Sequence, residues 1–454
     1  MENLNNRKIP MKVIVSYMAS SFGVNSLWML NNYFLLFFYT DVVKISAAAA
    51  TVILLVARVW DAVNDPMMGV LCDRTKSKEG KSRYWLKRMA IPAGVCVALS
   101  YYCPNWATPS KIVWVSVTYI FQGMAQTAIG VPLSALRATM TTNRLERTKL
   151  SQYMAVPSAL ANFVIPAVTM PFVKSFGDGN MGIGFAVIAV IIGTIYAVST
   201  LIVWWGTKGF DKATSDEQSV QKQENKVSAI ELLKDGFRNK YCMVVCATYC
   251  TYLLLSGIMG GTMIYYFTYN LQNENLMAVY SSVAVVANFA AILMMRVMGK
   301  KFGNAVSCML AGCVCAAGFI LRAIFGDDTY LVFVAGIACL GLGGGFFSHM
   351  IHQCILDATT YGRLRGMDNS SVVMSLFTFA QKFGQALSSV IASALLAVFH
   401  YTPGEQPGAN VLKLFYFENI IFPIIVAVVM MILLYCLSKM EKQLVRDMER
   451  SEKN

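Results

Sequence analysis

Long apolar runs recur along the chain and are separated by short polar segments. Each run is about 20 residues or longer, the length that an α-helix needs to cross the hydrocarbon core of a bilayer. Because lipid offers no partner for unpaired backbone groups, these runs are expected to be helical. The pattern predicts an all-α membrane protein with twelve transmembrane helices, at residues 11–39, 47–71, 86–104, 111–139, 150–173, 181–206, 241–268, 275–299, 304–325, 329–357, 370–399 and 411–437.

The composition agrees with a membrane protein and argues against most soluble enzymes. The 454 residues are 56% hydrophobic and 14% charged, with a mean hydropathy of +0.53. A soluble domain carries about 25% charged residues, so a single soluble core could not bury this excess of apolar side chains. The 12 cysteines lack zinc-ligand spacing and are interpreted as small apolar side chains within the membrane.

Basic residues determine the orientation that the sequence predicts. The formal net charge is +13, and most of the 38 lysines and arginines lie in alternate segments between the apolar runs. The positive-inside rule makes these segments cytoplasmic, and both termini with them. A nucleic-acid site would instead gather basic residues on one folded module, so nucleic acid is not expected as a partner. The chain is expected in the cell membrane.

A long polar stretch divides the chain into two halves. The predicted parts are an N-terminal six-helix bundle (1–206), a cytoplasmic linker loop (207–239), a C-terminal six-helix bundle (240–438) and a cytoplasmic tail (439–454). Within the linker, residues 227–237 have the pattern of a short amphipathic helix on the membrane surface. Gly69–Arg83 and Met298–Asn304 follow the second span of each half and weakly repeat one another. Two halves of six spans are typical of secondary transporters, with substrate bound between them.

Two acidic side chains interrupt the second span. Asp61 and Asp65 are four residues apart, so on a helix both carboxylates lie on one side. Unpaired charges are costly in a bilayer, and two neighbouring carboxylates repel each other unless a cation lies between them. The pair therefore predicts a site for Na⁺, H⁺ or Li⁺. The alternative is a permanent ion pair of Asp61 with Arg58 or with a lysine of another helix.

A lysine interrupts the eleventh span. Lys382 needs either a carboxylate partner or a water-filled cavity. If it faces Asp61 and Asp65, it can balance their charge when the cation leaves, which would couple cation binding to substrate binding. The alternative is that Lys382 extends to the membrane surface. His349 and His352 are three residues apart, but no third ligand is near in sequence, so a structural role is preferred over metal binding.

Several motifs resemble the glycoside–pentoside–hexuronide:cation symporters of the major facilitator superfamily, of which the melibiose carrier is one. They are FFYTDV (37–42), RVWDAVNDPMMG (58–69), DRTKSKEGKSRYWL (73–86), TTNRLERTKLSQY (141–153) and Gln381-Lys382. The resemblance covers nearly the whole chain in order. It implies the major facilitator fold and cation-coupled sugar transport.

The resemblance also implies roles for individual residues. The cation ligands would be Asp61, Asp65, Asn64 and Thr127. Residues implied or considered for substrate binding and coupling are Lys382, Thr378, Asn25, Tyr17, Trp28, Gln126 and Gln381. Four positions depart from the melibiose carrier: Asn25 and Gly130 replace aspartates, Ser134 replaces a tryptophan and Ala155 replaces an arginine. Losing two acids while keeping Lys382 favours an anionic sugar such as a uronide, as a hypothesis.

Charged residues of the cytoplasmic loops are candidates for a gate that closes in one transport state. They are Asp73, Arg74, Arg83, Arg144, Glu146, Arg147, Asp357 and Arg365. Among them, Asp357 is expected to pair with Arg363 or Arg365.

The function expected from these observations is symport of a sugar, glycoside or hexuronide with Na⁺ or H⁺ by alternating access. No covalent chemistry and no cofactor are expected, and a monomer in the lipid bilayer is predicted. A lysolipid transporter of the same fold is the alternative. An intramembrane enzyme or a receptor is a remote one, because the sequence has no catalytic cluster and the outward loops are short.

Overall fold

The computed structural model describes residues 9–140, 144–210, 238–327, 329–365, 370–403 and 405–451, and the regular structure in these ranges is helical. The α-helices are α1 (Met11–Phe37), α2 (Ala47–Arg74), α3 (Lys81–Ser100), α4 (Thr108–Thr139), α5 (Arg144–Gly177), α6 (Met181–Gly206), α7 (Lys240–Tyr265), α8 (Leu276–Phe302), α9 (Asn304–Phe325), α10 (Tyr330–Arg363), α11 (Ser370–Val398), α12 (Ala409–Tyr416) and α13 (Phe422–Ser451). The predicted surface helix at 227–237, and most of the predicted linker, lie outside the described residues.

Ten helical stretches within the described residues are long and apolar enough to cross a membrane. In this measure α12 and α13 count as one continuous stretch, because a π-helical turn joins them. The long helices α3 and α11 fall outside the set. α3 begins with several basic residues, and α11 contains the polar run around Gln381 and Lys382. All-helical architecture is thus confirmed, and the total of twelve spans stays a prediction.

The chain forms two compact units. The N-terminal unit comprises Met1–Asn225 together with Tyr401–Glu405, and the C-terminal unit comprises Lys226–His400 and Gln406–Asn454. In the first unit α1 packs on α5 and α6, α3 on α4 and α6, and α2 on α4. In the second unit α7 packs on α11 and α13, α9 on α10 and α13, and α8 on α10. The same helix pairing occurs in both units, as a duplicated six-helix fold requires.

The first helix of each unit ends in the same way. A five-residue π-helical turn, Phe38–Val42, follows α1, and a turn of equal length, Tyr266–Asn270, follows α7. The third residue of each turn is a threonine, Thr40 in one and Thr268 in the other. A shared π-helical turn is specific evidence for a repeat, because π-helical turns are rare.

The connection before the third helix of each unit is also repeated. Gly80 precedes α3 with φ of 102° and ψ of 160°, and Gly303 precedes α9 with φ of 83° and ψ of 169°. Side-chain-bearing residues rarely adopt this backbone conformation. These glycines lie in the two segments whose sequences weakly repeat, so the structure explains why both segments carry a glycine there.

Small residues let α3 and α6 approach closely. A β-carbon on Gly94 would lie 2.6 Å from the carbonyl oxygen of Gly193, and one on Gly193 would lie 2.4 Å from that of Gly94. Helices in lipid associate by such close backbone packing, since lipid supplies no hydrophobic drive between them. This contact holds α3, which also packs on α4, against α6.

The outer surface of the units suits lipid. Large apolar side chains such as Leu293 (79% exposed) and Leu331 (77%) are exposed on the helices. In the N-terminal unit Trp106 lies in the connection between α3 and α4, whereas Trp205 lies at the end of α6, where the Lys12 ammonium stacks 3.5 Å from its ring centre. Tryptophans at both ends of the helices are typical of membrane–water boundaries.

Candidate cation site in the N-terminal unit

The two aspartates of α2 face α4. The Thr127 hydroxyl donates a 2.8 Å hydrogen bond to Oδ1 of Asp65. One turn earlier on α4, Gly123 lies so close to α2 that a β-carbon there would be 3.0 Å from Oδ1 of Asp61. Residues four apart lie on the same face of a helix. Asp61 therefore lies opposite Gly123, and Asp65, one turn later, lies opposite Thr127. We call these four residues the acid site.

Arg58 makes an ion pair with the acid site. Its Nη1 lies 3.5 Å from Oδ2 of Asp61, with 34% and 33% of the two side chains exposed. The alternative pairing considered from the sequence is therefore present. At 3.5 Å this contact is longer than the roughly 2.7–2.9 Å of a charge-assisted hydrogen bond.

The acid site offers oxygen atoms of several kinds. Asp61 and Asp65 bring two carboxylates to one stretch of α2, one helical turn apart. Asn64 lies beside them, only 9% exposed, and its Nδ2 has no hydrogen-bond partner among the described residues. Carboxylate, hydroxyl and amide oxygens are the ligands that hard cations take. The site can therefore accept a monovalent cation.

The predicted substrate residue Tyr17 lies between α1 and α4. Its side chain is fully buried, and its hydroxyl donates to the carbonyl oxygen of Leu133 at 3.2 Å. This contact joins α1 to α4, and the role of Tyr17 in substrate binding stays a prediction.

A polar cluster that sequence reasoning missed joins α1 and α4. Oδ1 of Asn31 accepts a hydrogen bond from the Tyr101 hydroxyl at 3.0 Å and a longer one from Nε2 of Gln122 at 3.5 Å. Gln122 is 1% exposed, and its Oε1 has no partner among the described residues. The signal in the sequence is a pair of amides inside apolar runs. Gln122 immediately precedes Gly123 of the acid site.

Three other predicted substrate residues keep the positions that their helices imply. Nδ2 of Asn25 donates to the Ser21 carbonyl at 2.7 Å. Trp28 is 38% exposed, and Gln126 is half-buried next to Thr127. Their roles stay predictions.

In the C-terminal unit, the predicted coupling residues lie on α11. Lys382 and Thr378 are both exposed, one helical turn apart, while Gln381 is half-buried. The Thr378 hydroxyl donates to the Met374 carbonyl at 3.0 Å. Exposure agrees with a lysine that reaches water, and its pairing with the acid site stays a prediction.

Comparison with known proteins identifies the family. The chain matches the family described as MFS/sugar transport protein over residues 16–439. The chain belongs to the glycoside–pentoside–hexuronide:cation symporter family. It is therefore a membrane transporter of the major facilitator superfamily and not an enzyme.

Two relatives illustrate the similarity to known symporters. The isoprimeverose transporter of Lactiplantibacillus pentosus is 27% identical over 98% of this chain and 93% of its own length. The putative glycoside/cation symporter YagG of Escherichia coli is 26% identical over 88% and 85%. Among solved structures, a bacterial homologue of the iron transporter ferroportin in its inward-facing state gives a TM-score of 0.63 at 10% identity, covering 94% of this chain and 98% of that one. The last similarity concerns the fold alone.

One predicted gate residue of this symporter is firmly held inside the N-terminal unit. Arg83 is 6% exposed, and its Nε and Nη2 donate to the Trp204 carbonyl at 3.1 and 2.9 Å. Glu79, which sequence reasoning did not select, forms a 2.7 Å ion pair with Lys87 and accepts a hydrogen bond from Nε1 of Trp204. These contacts, the Lys87 bond foremost, lower the pKa of Glu79. These contacts tie the loop before α3 and the start of α3 to the end of α6.

The other predicted gate residues of the N-terminal unit do not form one network in the described structure. Glu146 accepts a hydrogen bond from the Ile9 N–H at 2.9 Å, and Arg74 is exposed at the end of α2. The side chains of Asp73, Arg144 and Arg147 lie outside the described part of the chain.

The expected pairing of Asp357 with Arg365 is not the one observed. Asp357 accepts a 2.7 Å hydrogen bond from Nδ2 of Asn304, whereas Arg365 pairs with Asp447 at 3.2 Å. Asn304 begins α9 and lies 53 residues before Asp357 in the sequence, so the fold is what brings the two side chains together. The side chain of Arg363 is not among those described.

The two histidines have structural partners. Nδ1 of His349 lies 2.7 Å from the Gly345 carbonyl, and Nδ1 of His352 lies 2.9 Å from the Ser348 carbonyl. No group of three or more metal-ligating side chains occurs among the described residues. These contacts support the structural interpretation of both histidines.

Two buried acids of the C-terminal unit were also missed by sequence reasoning. Asp327 (side chain 1% exposed) receives two hydrogen bonds from Arg322, at 2.8 and 2.6 Å, and one from the Tyr266 hydroxyl at 2.8 Å. Glu418 is 0% exposed, and neither of its carboxyl oxygens has a hydrogen-bond partner among the described residues. An ionisable residue within a span was the signal that could have found Glu418.

Proposed function

We propose that the chain couples entry of a sugar or glycoside to a cation, Na⁺ or H⁺, by alternating access. Asp61 and Asp65 would bind the cation, with Thr127 and Asn64 as further oxygen ligands. The observation that carries this proposal is the pair of carboxylates one helical turn apart that both face α4, with the Thr127 hydroxyl bonded to Asp65. A monovalent cation between two such carboxylates relieves their mutual repulsion.

The exposure of the acid site supports exchange rather than permanent binding. About a third of the Asp61 side chain is exposed, so the carboxylate is not sealed between α2 and α4. Arg58 supplies a resting partner when the cation is absent. A cation must leave as readily as it enters in each transport cycle, and a partly exposed site allows both.

The substrate class proposed is a sugar or glycoside, in agreement with the names of the relatives. The positions of Asn25 and Gly130 lack the acids found in the melibiose carrier, and a β-carbon on Gly130 would meet no heavy atom of the described residues within 4 Å. With Lys382 kept, this composition favours an anionic sugar such as a uronide.

The lysolipid alternative finds no support in these relatives, which are named for sugars and glycosides. Residence in the cell membrane, cytoplasmic termini and a monomeric state are part of the proposal. They rest on the basic residues between the spans and on the family.

Uptake into proteoliposomes tests the function. The full-length protein is offered neutral and acidic sugars while the Na⁺ and pH gradients are varied independently. We expect concentrative uptake of one sugar class that depends on one of the two gradients. In Asp61→Asn and Asp65→Asn, concentrative uptake should fall to the level of protein-free liposomes.

The control is Asp178→Asn, which removes an exposed acid in the connection between α5 and α6, outside the acid site. It should transport like the unaltered protein. Full concentrative uptake by both acid-site variants would refute the assignment, and uptake of lysolipid but no sugar would refute the substrate class.

A further inference from the structure

Glu418 is the most deeply buried acid of the C-terminal unit. It lies in the π-helical turn Phe417–Ile421 that joins α12 to α13, and its exposure is 0%. Neither Oε1 nor Oε2 has a hydrogen-bond partner among the described residues. The neighbouring Asn419 donates its Nδ2 to the Thr262 hydroxyl oxygen and to the Phe415 carbonyl, at 3.2 and 3.0 Å. The amide therefore does not satisfy the carboxyl group.

The helices packed on this turn offer Glu418 no charge partner. The turn packs on α7 and α9 as well as on its own helix. The titratable or charged groups at this end of those elements are Tyr265 at the end of α7, Tyr266 directly after it, Arg322 on α9, and Lys413 and Tyr416 on α12. Arg322 and Tyr266 both bind Asp327. None of the described ion pairs or hydrogen bonds includes the Glu418 carboxyl group.

An ionised carboxylate cannot be held in such a place. Burial without a partner penalises the charged form of an acid far more than the neutral form, and the group neutralises instead. A metal cation would relieve the charge only with several oxygen ligands, and the described residues hold no cluster of acidic, histidine or cysteine ligands here. A proton, in contrast, requires no ligand other than the carboxyl group itself.

We propose that Glu418 is a proton-binding site of the C-terminal unit, neutral in this conformation and able to release its proton when the π-helical turn becomes accessible to water. The site shares no residue with the acid site of the N-terminal unit. It stands whether the coupling cation at Asp61 and Asp65 is Na⁺ or H⁺. A π-helical turn is a frequent companion of functional residues in helices, and here it carries the acid.

Infrared spectroscopy tests the proposal without knowledge of the substrate. Full-length protein in D₂O buffer at neutral pD should show the C=O stretch of a protonated carboxylic acid. Glu418→Gln should lose this band, since an amide replaces the acid at nearly equal size. The control Asp447→Asn should keep it, because Asp447 pairs with Arg365 and is a third exposed.

Two results would overturn the proposal. One is the absence of the protonated-acid band in the unaltered protein at neutral pD, and the other is a band of unchanged size in Glu418→Gln. Glu418→Met keeps the test decisive if the Gln variant does not fold. If Glu418 is a neutral acid in an apolar site, the Tm of Glu418→Met should equal or exceed that of the unaltered protein. A large fall in Tm would mean that the ionised carboxylate has a structural partner.

Discussion

The acid site of the N-terminal unit and Glu418 of the C-terminal unit are both acidic groups inside apolar helices, yet their surroundings differ. Asp61 and Asp65 have a hydroxyl, an arginine and a partly exposed position among their surroundings. Glu418 has none of these within the described residues. The difference shows that partners and access, rather than the acidic residue type, decide which ion a carboxyl group can bind. The first site suits exchange of a cation, and the second suits a proton.

The largest effect is expected from a third acid that separates the roles of burial and pairing. Asp327 is as buried as Glu418 but has Arg322 as a two-pronged partner. Asp327→Asn would leave the arginine unpaired in the interior, which costs about 3–5 kcal/mol. Glu418→Gln should change the free energy of unfolding far less, because no partner is lost. Thermal unfolding of both variants in detergent measures this contrast. Equal losses of stability in the two variants would contradict it.

A medium effect is expected from the hydroxyl at the acid site. Thr127→Val keeps the shape of the side chain but removes the donor to Asp65. A hydrogen bond to a charged group contributes about 1.5 kcal/mol, so the concentration of cation that gives half-maximal uptake should rise about tenfold.

Thr194→Val is the matched control for Thr127. Its hydroxyl donates to the Val190 carbonyl within α6, and it makes no contact with the acid site in the described hydrogen bonds. This variant should retain the cation dependence of the unaltered protein. An unchanged cation dependence in Thr127→Val would show that the Thr127 hydroxyl takes no part in cation binding.

The smallest effect is expected from the close approach of α4 to Asp61. In Gly123→Ala the new β-carbon would meet Oδ1 of Asp61 at 3.0 Å and displace the carboxylate by a few tenths of an ångström. We expect a few-fold weaker cation dependence, measured by uptake at graded cation concentrations. Gly69→Ala, on α2 with no heavy atom of the described residues within 4 Å of its β-carbon position, should behave like the unaltered protein. The same loss in both variants would show a general effect of an added methyl group on these helices.

The helices could be predicted largely from the sequence, because apolar length is a local property. The runs at 181–206 and 304–325 match α6 and α9 residue for residue. Asp61 and Asp65 were found because two charges within one apolar run are conspicuous. Glu418 was missed because a single acid near the start of an apolar run is not conspicuous, and because its burial depends on packing against α7 and α9.

Partners that are distant in sequence could not be predicted. Asp357 bonds to Asn304, and Arg83 to the Trp204 carbonyl, across different helices. Arg322 and Asp327 are only five residues apart, but their pairing requires the chain to turn at Gly326, whose φ is 73°. No local pattern encodes such a turn together with its burial.

Electrical recording from proteoliposomes on a solid-supported membrane tests the central claim most directly, since it detects movement of the cation itself. Addition of a transported neutral sugar to the unaltered protein should produce a current of positive charge moving with the sugar, whereas an anionic sugar would cancel the charge of one cation. Asp61→Asn and Asp65→Asn should give no current, although sugar still exchanges across the membrane without a gradient. A sugar-induced current of normal size in either variant would contradict the assignment of the coupling cation to these two carboxylates.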